Sequence, residues 1–168
     1  EAAGLCARKS DLLSLVVRSV DRRMVAEVRP DPEESTRDRL FEVLMARFDA
    51  LQAHREGMAV LVAEALRDPL TASCLARPLD GSMRWALRIA GVDASGLAGL
   101  VRARVLGLLY LSVLRVWLKD ETDDLAPTMK ALDRRLAQAE ELANTFDPGR
   151  RRKAGTAPPA EAEGGEGP

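Results

Sequence analysis

Apolar residues recur along this chain at steps of three and four, the repeat of an α-helix. From Lys9 to Val28 the residues Leu13, Val16, Val17, Val20, Met24 and Val28 share one face of a first long helix. Pro30 and Pro32 end it, because proline has no N–H to donate. Ser35, with Asp38 three positions on, has the form of a helix cap. It opens a second helix striped by Leu40, Leu44, Phe48 and Leu51, with Phe41 and Met45 alongside. A break over residues 52–55 precedes a short helix carrying Met58, Leu61, Val62, Ala65 and Leu66. Asp68-Pro69 then reads as the cap and first residue of a further helix. Pro78 and Gly81 interrupt that segment, so the pattern predicts a short helix before Pro78 and another from about Pro78 to Ala90. Gly91 is a natural stop.

Asp93 or Ser95 caps the next helix, which is expected to run to about Lys119. Around Val105, Leu106, Leu108, Leu109, Leu111, Val113, Leu114 and Val116 it is apolar on nearly every side, so it needs cover from several directions. After the acidic stretch Asp120 to Asp124, a last helix spans about Leu125 to Phe146, with Pro127 in its first turn. Leu125, Met129, Leu132, Leu136, Ala139, Ala143 and Phe146 alternate steps of four and three, a seam of the kind that packs helix on helix. The expectation is an all-α fold of about seven helices and no strand. From Asp147 onward Pro, Gly, Ala and Glu cannot build a core, so residues 147–168 are expected to be disordered.

Composition agrees with that picture. Of 168 residues, 46% are hydrophobic but only 4% aromatic, which suits helices better than sheets. The net charge of -1 gives no global attraction for nucleic acid. Cys6 and Cys74 lie far apart and form no CxxC pair, and they are expected to be reduced thiols of a cytoplasmic protein. No secretory signal is visible. The apolar run Val105 to Leu118 contains Arg115 and falls short of the ~20 residues a spanning helix needs, so no membrane span is expected.

Catalytic chemistry is nearly missing from the pattern. His54, the single histidine, has no surrounding ligand set for a metal, and GxSxG, P-loop and GxGxxG motifs are lacking. No enzyme activity, metal or cofactor is expected. Asp120, Glu121, Asp123 and Asp124 lack the glycine and terminal glutamate of a calcium loop, and they read as a solvated linker whose last carboxylates cap the final helix. The basic block Arg150 to Lys153 is balanced by Glu161, Glu163 and Glu166 and reads as a soluble tail. Phe41, Met45, Phe48, Met58, Met83, Trp85, Tyr110 and Trp117 are large, adaptable side chains of the middle helices, fit either to fill a core or to line an apolar ligand pocket. The over-apolar penultimate helix can be covered by the other helices of the chain or by a second subunit; with the final seam, the expectation is a homodimer through a four-helix bundle, with Leu106, Leu109, Val113, Met129, Leu132, Leu136 and Ala139 as interface candidates.

The stretch WLKDETDDLAPTMKALDRRL, from Trp117 to Leu136, resembles the end of the C-terminal domain of TetR-type transcriptional regulators. Met83-Arg84-Trp85, Gly91-Val92-Asp93 and Arg37-Asp38-Arg39-Leu40-Phe41 resemble that group as well, and the likeness covers about Lys9 to Ala143. It implies a TetR-like bundle over residues 9–146 that dimerises through its last two helices. It also implies a small apolar or lipid-like effector that modulates binding to operator DNA. In this family a helix-turn-helix precedes the linking helix and enters the major groove. Here residues 1–8 match only its remnant or end, because the three residues between Leu5 and Lys9 make less than one helical turn. The head is therefore expected to lie outside this sequence or to have been lost. By the same resemblance, Lys9 would contact a DNA phosphate. The C-terminal half is also similar to a lipid-binding accessory protein family of ubiquinone biosynthesis, which has the same fold and no DNA role.

Overall fold

The computed structural model describes residues 31 and 33–146. The helix expected over 9–28, the remnant 1–8 with Lys9 beside it, and the tail 147–168 lie outside the described residues. Five α-helices follow in order: α1 (Thr36–Leu51), α2 (Arg55–Arg67), α3 (Pro69–Ile89), α4 (Gly96–Trp117) and α5 (Ala126–Phe146). A 3-10 turn, Gln52–His54, joins α1 to α2, and no strand occurs among the described residues. The all-α expectation holds. The helix count needs correction, because the six helices expected beyond Val28 number five.

The difference lies at Pro78, where a break was expected and α3 runs on unbroken to Ile89. Proline removes one hydrogen bond to the preceding turn. Packing compensates, since α3 lies along α4 with Ser82, Met83, Ala86 and Leu87 buried. The helix ends further on, where backbone geometry forces it to end. Gly91 takes φ +73, Gly91 N–H donates to Arg88 O at 3.0 Å, and Val92 N–H donates to Leu87 O at 2.8 Å. This is a Schellman cap, with buried Val92 and Leu87 as its apolar pair.

The helix starts follow the residues that mark them. Ser35 accepts from Asp38 N–H at 3.1 Å, and Asp68 accepts from Leu70 and Thr71 N–H at 3.1 and 3.0 Å. Ser95 occupies the cap position of α4, while the Asp93 carboxylate takes the Ser95 hydroxyl at 2.6 Å and its N–H at 2.9 Å. Those two bonds hold the Asp93 pKa below its ordinary value. Asp124 accepts from Ala126 N–H at 3.2 Å at the start of α5.

The core is a single cluster. α4 lies between α3 and α5, α1 packs on α5 and α3, and α2 packs on α3. Trp117, Phe48, Leu44, Met83, Leu114, Leu132, Val43 and Val113 are fully enclosed. Full burial of each such side chain contributes about 1.5–3 kcal/mol. α2 is the exception, for it buries no residue completely.

Cys74, on α3, is disulfide-bonded, which corrects the expectation of a free thiol. Separation along the chain does not govern such bonds; proximity in the fold does. The thiol argument for a cytoplasmic location falls with it. Cys6 lies outside the described residues.

Candidate functional site

The face of α1 that points inward carries Val43, Leu44, Arg47, Phe48 and Leu51, so its buried stripe holds one cation. Phe48 meets two aromatic residues of α4. Its ring stacks on Tyr110 with centroids 5.1 Å apart, and lies tilted against Trp117 at 5.8 Å. Such ring pairs add about 0.5–1.5 kcal/mol beyond the area they bury. The Arg47 guanidinium sits 5.3 Å over the Tyr110 ring and donates to Ser82 Oγ of α3. Trp117 is fully buried, and its indole Nε1–H has no acceptor among the described residues.

Four of the eight expected pocket residues, Phe48, Met83, Tyr110 and Trp117, are thus interior, where α1, α3 and α4 meet. Phe41, Met45, Met58 and Trp85 are half-buried against the same core. The fold gathers the set, and the Phe48 ring rests directly on Tyr110 and Trp117. One groove among the described residues lies elsewhere. It is an open concavity of ≈ 480 Å³ at the end of α4, lined by Arg115, Val116, Lys119, Asp120, Glu121, Thr122 and Pro127. None of the eight lines it.

Beside that groove the acidic stretch divides into two roles. Glu121, Asp123 and Asp124 are exposed, as a solvated linker would be, but Asp120 turns inward. Its carboxylate accepts from Thr122 N–H at 3.1 Å and hydroxyl at 2.6 Å, and from Thr128 N–H at 3.0 Å and hydroxyl at 2.5 Å. Burial opposes the charge, and these hydrogen bonds from Thr122 and Thr128 overcome it, lowering the pKa to about 2. The carboxylate fastens the α4–α5 turn to the first turn of α5, where free N–H groups and the helix dipole favour an anion.

Two arginines close helix ends that belong to other elements. Arg39 of α1 donates through Nε to Ala90 O at 2.9 Å, at the end of α3. Arg55, the first residue of α2, donates to Trp117 O at 2.6 Å and to Asp120 O, with its guanidinium 5.3 Å over the Trp117 ring. Each supplies donors to carbonyls that a helix C-terminus leaves open. Arg39, Arg47, Arg55 and the Asp120–Thr128 pair carry no signal in periodicity alone, so their roles appear only in the fold. An arginine on an otherwise apolar stripe, as at Arg47, is the one visible hint.

Among the described residues no group of three or more His, Cys, Asp or Glu is placed to hold a metal ion. His54 is exposed in the 3-10 turn.

The interface candidates divide differently from the expectation. Leu106, Leu109, Val113, Leu132 and Leu136 are buried within the subunit, Ala139 is half-buried against its core, and Met129 faces solvent. The seam of the last helix is used by contacts inside the subunit, since α5 packs on α4 and α1. Among the described residues, the apolar face left open is the opposite side of α4. There Leu97 is 77% exposed, Val101 56%, Val105 50%, Leu108 70% and Leu111 37%. Steps of four, four, three and three place them on one stripe. α4 is a 22-residue helix, long and apolar enough by composition to cross a membrane, so the shorter run read from sequence underestimated it. Nine of its residues are buried inside the described bundle.

No family model matches the chain, and no curated protein is significantly similar to it.

Proposed function

We propose that this chain is the effector-binding and dimerisation half of a TetR-type transcriptional repressor. The observation that carries the reading is the uncovered stripe Leu97, Val101, Val105, Leu108 and Leu111 on α4. Five large apolar side chains exposed along one helix face form the kind of patch that contacts a partner. The helical bundle and the order of the family-like segments support the same reading.

The effector in this scheme is a small apolar molecule that enters among Phe48, Met83, Tyr110 and Trp117. To enter, it must part rings that now rest on each other, moving α1 relative to α4. It acts by binding the parted arrangement better than the closed one, since a ligand with equal affinity for both shifts nothing. That displacement would reset the distance between two DNA-reading heads.

Two measurements test the reading. Sedimentation of the 168-residue chain is expected to give a dimer. The protein from the complete reading frame is expected to bind DNA beside its own gene and to release it when an apolar ligand raises its melting temperature. Co-purified lipid together with no DNA binding by the complete protein would replace the reading with the lipid-binding accessory function.

A further inference from the structure

We infer that Cys6 and Cys74 form a reversible disulfide latch, which fastens the stretch ahead of α1 to the α2–α3 corner and lets go when small thiols are in excess. The inference is independent of the proposed function.

Counting identifies the partner of Cys74. That residue is disulfide-bonded and the chain holds two cysteines, so Cys6 is the other half of the bond. The bond closes a loop of about 70 residues, and a cross-link over that length removes much of the freedom of the unfolded chain.

The position of Cys74 in α3 decides what the bond holds. Ser82, Met83, Ala86 and Leu87 bury the C-terminal half of α3 in the core. Ahead of Ser82 only Thr71 is buried, and its N–H and hydroxyl both donate to the cap Asp68, at 3.0 and 2.6 Å. α2, which packs on α3, buries no residue completely. The corner from Arg55 to Gly81 thus has little apolar anchorage among the described residues, and Cys74 lies within it. Segments with so few buried contacts open first, and a covalent tie at Cys74 opposes that opening.

Access makes the bond a latch. Cys74 is half-buried, and Ala72, Ser73, Ala76 and Arg77 around it are exposed, so a small thiol reaches the sulfur while the core stays closed. One small thiolate attacks a sulfur of the bond, forming a mixed disulfide with one cysteine while the other cysteine leaves as a thiolate. A second small thiolate then displaces the first cysteine. Two small thiols become one small disulfide, and the protein gains two thiols. Closing is the same exchange in reverse, with a small disulfide such as oxidised glutathione as the oxidant.

The full chain equilibrated with oxidised or reduced glutathione tests this. After oxidation and blocking of free thiols, a tryptic digest is expected to contain one species joining residues 1–8 to residues 68–84, and to lose it on reduction. Reduction is expected to lower the melting midpoint by about 10 °C. It is also expected to raise amide exchange roughly tenfold in residues 55–81 while the interior of α4 is unchanged. Returning oxidised glutathione restores both. Cys6→Ser and Cys74→Ser each behave like the reduced chain in either buffer, which separates the bond from any other effect of the reductant. Both cysteines blocked as thiols after oxidation, or a bond between two copies, would overturn the pairing. A Cys6–Cys74 bond that persists in excess reduced glutathione, or whose reduction leaves exchange in residues 55–81 unchanged, would overturn the latch.

Discussion

Asp120 is a buried anion whose charge is maintained by two threonines. Because its pKa of about 2 lies below the 3.8 of an unperturbed aspartate, the folded state favours the ionised form. The stabilisation is present in full above about pH 4 and is lost as pH falls through about 2. Asp120→Asn keeps the shape but loses the charge and turns an amide N–H2 toward donors. It is expected to cost about 2 kcal/mol at neutral pH, and to remove this part of the acid dependence, as followed by urea melts from pH 2 to 7. Gly99 is required for a different reason. A Cβ there would lie 2.1 Å from the backbone carbon of Ala94, which cannot yield as a side-chain tip could. Gly99→Ala is expected to destabilise the fold by about 3 kcal/mol, read as a lowered urea midpoint. Gly81 has open space around the missing Cβ, so Gly81→Ala is expected to stabilise α3 by about 0.5–1 kcal/mol in the same assay.

Among the elements, α2 depends most on a single side chain. It buries no residue completely, and Arg55 ties its first turn to Trp117 O and Asp120 O at the end of α4. Few buried contacts and a polar tether describe a segment that opens locally before the whole unfolds. Arg55→Ala is expected to raise amide hydrogen exchange in residues 55–67 and at the α4–α5 turn, while the interior of α4 stays protected. Equal loss of protection throughout would show that α2 unfolds only with the whole domain. α3 illustrates the converse: proline ordinarily breaks a helix, but packing on the neighbouring α4 carries α3 through Pro78.

For the whole molecule, the proposed dimer rests on the exposed strip of α4. Leu108→Glu places a charge in the middle of the strip, where Leu108 is exposed and no described residue covers it. The variant is expected to keep its helical circular dichroism and melting behaviour as a monomer, and to lose the dimer in sedimentation. Leu106→Glu, on the buried side, is expected to unfold the domain instead. The contrast separates the two faces of one helix, which the composition of α4 could not distinguish.

Local chemistry written along the chain accounts for the helices and most of their ends. Steps of three and four placed the stripes, Ser35 and Asp68 announced starts, and Gly91 announced a stop, because caps and backbone conformation depend on a few adjacent residues. Which way each stripe faces depends on partners distant in the chain. Leu132 and Leu136 form a seam whose cover proved to be the same subunit, and Arg39 and Arg55 find their carbonyls 51 and 62 residues away. Asp120 looked like one of several solvated acids until the turn folded it onto Thr128. Periodicity reports that a face must be hidden, and only packing in three dimensions assigns what hides it.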